Sequence, residues 1–260
     1  MNFIKHLRKI FVYVIFILFS SCYSIPKTSF CFPKRETIKK QKEKTKFFSV
    51  EGKEIEYFVF GKGNINIHFH GAIHGDEKEG VGVLRRLMAY LRSRPYLIKG
   101  LKLIFIPIIN PDGYERNSRF NARGVDLNRN FPAKNWRKLR KARSGTKPLS
   151  EPESKAVYEL IKTYPPFLVV TLHSARRSVN WDGPCQDLAE RMAVWNGYRT
   201  EETVGYPTPG SLGSWLGKDL NIPVITLELR HASEEELWKE NKYALLEAIK
   251  WARMKAFGLP

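Results

Sequence analysis

Cysteine is scarce in this 260-residue chain, with only Cys22, Cys31 and Cys185 present. At most one disulfide is therefore available, and the fold must rest on a packed core; the apolar fraction of 43% is enough to build one. Acidic residues are also in deficit, 26 against 44 lysines and arginines, for a net charge of +18. That balance favours an anionic partner such as nucleic acid, anionic lipid or an anionic polymer, unless the lysines are simply solvated. The sequence carries no nucleic-acid-binding motif, so no nucleic-acid partner is expected. It also lacks an internal repeat or an interdomain linker, which leaves a single domain as the expectation.

The N-terminal apolar run, Ile10 to Phe19, falls short of a comfortable membrane span. Lys5, Arg8 and Lys9 precede it, and Ser20, Ser21 and Cys22 follow, which is the layout of a secretory signal over residues 1–22. Small residues before a cysteine resemble a bacterial lipoprotein signal, in which Cys22 would carry lipid and tether the protein to a membrane. Phe19 stands where that pattern usually has Leu, so cleavage without lipidation stays open. Export implies an oxidising compartment, where Cys31 and Cys185 can pair or stay as thiols. The expected location is the periplasm, either free or membrane-anchored.

Residues 23–46 are expected to form a basic tether, and 47–260 the domain. Polar residues dominate from Pro33 to Lys46, with seven basic side chains against Glu36 and Glu43. Beyond the tether, strand patterns (Glu54 to Phe60, Ile65 to Phe69, Leu101 to Pro107, Phe167 to Leu172, Pro223 to Leu227) alternate with helical ones (Lys78 to Arg92, Gln186 to Trp195, Glu234 to Met254). A long loop is expected from Asn110 to Lys147. After it, Ser150 and Glu153 have capping-box spacing, opening a helix to about Thr163. The order implies an α/β fold, a single domain with a mixed central β-sheet flanked by helices on both faces. Polar clusters fall where strands end, the position at which open α/β sheets gather ligands.

In HFHGAIHGDEKEG, His74 and Glu77 form an H-x-x-E pair on a glycine-flanked turn. Catalytic zinc typically takes three protein ligands and leaves a fourth position for water. His173, ending a strand in TLHSARR, is the best third ligand. His68 and His70 compete, but they share one face of a strand and fit better as packed or exposed strand residues. His6 and His231 have no ligand context.

HGAIHGDE, NPDGY, GVDLNRNFP, LHS and TLELR occur in this order, and together they resemble the zinc carboxypeptidase family, with the fold of carboxypeptidase A. The resemblance runs roughly from Ile65 to Ala248. It implies one zinc ion per chain on His74, Glu77 and His173, with Glu228 as the general base that takes a proton from water. It further implies that Asn128 and Arg129 grip the substrate carboxylate and that Arg119 stabilises the oxyanion, with Arg116 and Arg123 as rivals for that role. Asp126 is expected to orient His74 from behind the metal. Tyr206, ahead of Trp215 in a glycine-rich loop, resembles the family's mobile active-site tyrosine.

NARGVDLNRNFP, LSEPES and YPTPGSLGSW resemble the bacterial murein peptide amidase branch, which cleaves the γ-D-glutamyl–diaminopimelate bond of cell-wall peptides. The expected substrate is thus a peptide or muropeptide. Alternatives are an ordinary carboxypeptidase, an N-acyl amino acid deacylase and an inactive wall-binding lipoprotein. Arg176, Arg177 and Gly210 to Ser214 are candidate specificity residues, the last offering a small polar floor. The basic stretch Lys134 to Lys147 either draws an anionic polymer toward the cleft or is a solvated loop.

Overall fold

Val, Ile, Leu and Phe dominate the segments that become strands, as expected where both faces of a sheet are covered. In the computed structural model, which describes residues 45–202 and 205–258, these segments form a seven-stranded mixed sheet and a two-stranded hairpin. The hairpin pairs β1 (Phe47–Phe48) with β2 (Glu54–Ile55). The large sheet contains β3 (Phe58–Phe60), β4 (Ile65–His70), β5 (Leu101–Ile106), β6 (Pro166–Ser174), β7 (Ser178–Asp182), β8 (Arg199–Glu201) and β9 (Val224–Leu229). Their order is β3-β5-β4-β6-β9-β7-β8, with β5, β4, β6 and β9 parallel and β3 and β7 antiparallel to their inner neighbours.

Helices cover both faces: α1 (Glu79–Arg92), α2 (Pro111–Arg116), α3 (Pro152–Thr163), α4 (Gln186–Asn196) and α5 (Glu234–Phe257). Side chains alternate between the faces of each strand. Odd positions of β4 and even positions of β6, such as Ile67, Phe69, Val170 and Leu172, join Leu84, Leu87, Leu188 and Leu245 in one core under α1, α4 and α5. The opposite face carries Ile104, Ile106, Val169 and Val224, packed on Val157, Leu160 and Phe131 in a second core with α3. At the carboxyl ends of the strands this second face turns polar. The chain passes from β4 to β5 on one side and then crosses from β5 to β6 on the other side of β4. This makes the β4–β6 boundary a topological switch point, where such sheets open a crevice.

Three local expectations need correction. The strand expected from Glu54 to Phe60 breaks at Glu56 and Tyr57, so that its halves serve the hairpin and the sheet edge separately. Ser150 does not cap α3. Glu151 is the N-cap, and Ser150 Oγ instead donates to Glu151 Oε1 at 2.7 Å. Glu153 turns into the protein, where its carboxylate accepts from Val50 N at 3.1 Å and Asn121 Nδ2 at 3.2 Å. The long loop contains α2 and short 3-10 turns at Leu127–Arg129 and Arg140–Ala142. Within α2 Asn110 is the N-cap, its side chain accepting from Gly113 N at 2.9 Å, and Pro111 takes the first turn. The signal, Cys22, Cys31 and all but the last two tether residues lie outside the described residues. Cys185 is a buried free thiol, pushed up to about 12 by burial.

Candidate metal centre and substrate pocket

The turn after β4 carries His74 and Glu77 across the end of the sheet, and its tightness depends on Gly75. A Cβ there would lie 2.0 Å from the carbonyl carbon of Gly113, so the loop reaches the backbone of α2 only because position 75 has no side chain. Asp112, on the far side of α2, is fully buried. It accepts from Ser49 Oγ at 2.9 Å and Glu51 N at 3.1 Å, tying the hairpin beneath this loop.

His74, Glu77 and His173 converge so that one ligand atom from each lies within 4.8 Å of the others. Glu77 lies between the two rings, with Oε1 2.8 Å from His74 Nδ1 and Oε2 2.7 Å from His173 Nδ1. On the other side of the first ring, His74 Nε2 meets Asp126 Oδ1 at 3.0 Å. A proton held there leaves Nδ1 with a lone pair directed at the Glu77 carboxylate, an arrangement that needs a cation or a second proton between the two groups. Burial opposes protonation of His74, but the Asp126 and Glu77 carboxylates outweigh it and hold the ring at about 9. Despite their burial, the same two imidazoles keep Glu77 well below the usual carboxylate range, and His74 and Arg119 do so for Asp126. Two histidines, one of them backed by a carboxylate, and the Glu77 carboxylate form a donor set that fits zinc.

His68 and His70 lie elsewhere, fully buried on the second face of β4. His68 Nε2 contacts Tyr164 O at 2.7 Å, whereas neither ring nitrogen of His70 has a partner among the described residues. Burial drives both well below the ordinary imidazole value. His231, assigned no context in sequence, has its Nδ1 2.6 Å from Glu79 Oε1 at the surface.

Glu228 stands in register with His173 on the adjacent strand, so both side chains project from the same face. It is 8% exposed, and its Oε2 has no hydrogen-bond partner among the described residues. Burial pushes its pKa up, with His173 opposing and Glu77 reinforcing the shift. Arg119 donates from Nε to Asp126 Oδ2 at 3.1 Å and from NH1 to Glu77 Oε1 at 3.2 Å, which puts its guanidinium against the histidine–carboxylate cluster. Arg116 and Arg123 point away, to Glu51 and Glu151. Asn128 accepts from Leu212 N at 2.9 Å, and Arg129, 8% exposed, donates to Asn128 O at 2.7 Å. Tyr206 is half exposed at the rim. Trp215 anchors the following segment by stacking on Phe131 and Tyr158, with centroids 5.8 Å and 5.3 Å away.

The side chains of His74, Glu77 and His173 join Glu228, Arg119, Asn128, Arg129 and Tyr206 in lining one pocket of about 800 Å³. Ser211 to Ser214, read from GSLGS as a small polar floor, do line it. Ser211 and Ser214 spend their hydroxyls on each other, at 3.0 Å, and on Thr208 O, so they hold the loop together. The sheet supplies polar groups that the sequence reading missed: Thr171, Thr226, Asn180 and Asp182, with Lys218 from the facing turn. The signal was present, since SVNWD alternates polar and apolar residues with the period of a half-buried strand. Of the two candidate specificity arginines, Arg176 lines the pocket, while Arg177 turns outward to Glu240 at 3.6 Å. The basic stretch packs beside the pocket. Asn135 donates to Ser214 Oγ at 3.1 Å and accepts from Gly210 N at 3.0 Å.

Residues 42–187, more than half of the chain, match the model of the zinc carboxypeptidase family, and the chain belongs to that family of metal-dependent hydrolases. It is 34% identical to murein peptide amidase A of Escherichia coli over 196 residues, covering 68% of this chain and 76% of that protein. It is 35% identical to the Vibrio campbellii protein of the same name over 170 residues, covering 60% and 66%. The crystal structure of the murein-tripeptide amidase from Escherichia coli superimposes with a TM-score of 0.66 at 29% identity, covering 79% of this chain and 90% of that one. Bovine thrombin-activatable fibrinolysis inhibitor shares the fold, with a TM-score of 0.68 at 21% identity, covering 83% and 91%.

Proposed function

We propose that this chain hydrolyses the amide between γ-D-glutamate and diaminopimelate in murein peptides, with one zinc ion held by His74, Glu77 and His173. The observation that carries this reading is the pocket itself. It joins the buried, partly unpartnered carboxylate of Glu228 to a histidine–carboxylate triad at one end and to a charged, polar floor at the other. The likeness to the amidases of Escherichia coli and Vibrio campbellii supports the choice of bond. When bound there, zinc supplies a Lewis acid that polarises the scissile carbonyl and acidifies water near neutral pH.

The chain's own groups do the rest. Arg129 and the Asn128 amide receive the free carboxylate beside the scissile bond; the guanidinium fork suits a two-oxygen acceptor. Glu228, raised by burial toward the working pH, takes the proton of the attacking water and returns it to the departing amine. Arg119 moves from Glu77 and Asp126 to the carbonyl oxygen as negative charge develops there. Asp126 keeps the His74 proton on Nε2 throughout. Tyr206, on the exposed rim, closes over bound substrate and reduces water access.

An ordinary carboxypeptidase acting on apolar C-terminal residues would need an apolar floor, which Asn180, Asp182 and Thr226 do not supply. Digestion of purified muropeptides by the zinc-loaded protein, read by mass spectrometry, tests the assignment. The expected products part between γ-glutamate and diaminopimelate. Cleavage confined to α-linked C-terminal residues would overturn it. The basic residues and apolar run of residues 1–22 support export, and Ser20 and Ser21 ahead of Cys22 support lipid on that cysteine. Incorporation of labelled fatty acid that is lost in Cys22→Ala is the expected result of the corresponding labelling experiment.

A further inference from the structure

Asp182 is the last residue of β7, on the face that also bears Ser178 and Asn180. Its carboxylate points at a turn, Ser214–Asp219, that comes unusually close. A Cβ on Gly213 would lie 2.1 Å from Asp182 Oδ2, and one on Gly217 would lie 2.3 Å from Asp182 Cβ. Gly213 has an ordinary φ of −63°, and neither glycine is among the positive-φ glycines. Their need is therefore spatial: the turn is bare where it meets this carboxylate. Lys218, on the same turn, approaches Asp182 Oδ1 at 3.6 Å, with side chains 59% and 21% exposed.

The pair is loose and wet enough to open, and it lies at the far end of the pocket from the reacting atoms. Ser178 is in register with Glu228, and Asp182 is four residues further along β7. At about 3.3 Å per residue the two rows are roughly 13 Å apart. An extended diaminopimelate side chain, together with two carboxylate side chains reaching toward it, spans that gap. A neutral or apolar side group placed here would strip water from both charges and return nothing. A group bearing an ammonium and a carboxylate on one carbon exchanges a single stretched ion pair for two charge-assisted contacts.

We propose that Asp182 and Lys218 are the specificity-determining pair for the distal ammonium and carboxylate, respectively, of the residue released by hydrolysis. This rests on the murein reading above and deepens it. Arg176, another cation of the pocket, precedes Ser178 and so lies toward the Glu228 row, 3.7 Å from Glu201.

Three substrates separate the contributions in the zinc-loaded full chain. They are γ-D-glutamyl-meso-diaminopimelate, its lysine analogue with the ammonium only, and its 2-aminopimelate analogue with the carboxylate only. Asp182→Asn should lower the ratio of kcat/KM for diaminopimelate to that for 2-aminopimelate by about 10- to 100-fold, mainly through KM. Lys218→Met, at an exposed position where folding is not at issue, should lower the ratio of diaminopimelate to lysine by a similar factor. Ratios within twofold of wild type in both variants, with wild type active on diaminopimelate, would overturn the pair's role and leave the murein reading intact. A wild type that trims α-linked peptides but none of the three substrates overturns the murein reading, and this inference with it.

Discussion

Glu228→Gln isolates proton transfer from the rest of the site. The side chain keeps its shape, its register beside His173 and its place in the pocket wall. Because Oε2 has no hydrogen-bond partner among the described residues, the substitution removes no direct hydrogen bond there. What it removes is a base that burial has raised toward neutral pH. A positioned general base contributes about 10²- to 10⁴-fold, which at about 1.36 kcal/mol per decade is roughly 2.7–5.5 kcal/mol of barrier. The loss should appear in kcat, with zinc stoichiometry unchanged and KM moving little. Steady-state hydrolysis of γ-D-glutamyl-meso-diaminopimelate, paired with metal analysis of the same preparation, makes the measurement. A kcat within threefold of wild type would refute the reasoning. So would loss of the metal, since that would make Glu228 a ligand.

His173→Ala should abolish stoichiometric zinc binding; zinc retained at one per chain would redirect attention to His70, whose ring nitrogens are unpartnered among the described residues. Asp126→Asn should weaken zinc binding by about 10- to 100-fold in a competitive chelator titration, because His74 Nε2 then loses the carboxylate 3.0 Å away; an unchanged affinity would show that Asp126 serves only the loop. Glu153→Ala leaves Val50 N without an acceptor, while Asn121 Nδ2 keeps Glu151 Oε2 at 2.9 Å. At about 1–3 kcal/mol for one stranded buried donor, urea unfolding should show a loss of that size, and no measurable change would mean that water replaces the carboxylate.

The helices, the central strands and the polar residues at strand ends were legible because each rests on a local pattern. His74 and Glu77 share one turn, and the apolar run before His173 marks a buried strand. What sequence left out depends on partners remote in the chain. Ser150 and Glu153 have the spacing of a cap, yet Asn121 and Val50 draw Glu153 inward. The break at Glu56 is set by which sheet each half joins. Asp182 looks like an ordinary strand-end acid until the turn bearing Gly213 and Gly217 is folded against it. Arg119 differs from Arg116 and Arg123 only in what faces it, and no spacing rule carries that information.

Along β9 the residues Val224, Thr226 and Glu228 look into the pocket side, while Ile225, Leu227 and Leu229 look into the first core. Recognition chemistry and core packing are thus written in alternate letters of the same six-residue word. Deleting or inserting one residue in VITLEL exchanges the two readings, burying Thr226 and Glu228 among leucines and turning leucines toward the substrate. Catalytic turnover is therefore also a gauge of strand alignment. A population that has lost register cannot hide as a folded but inactive protein, because the same slip that misplaces the base also empties the core of its leucines.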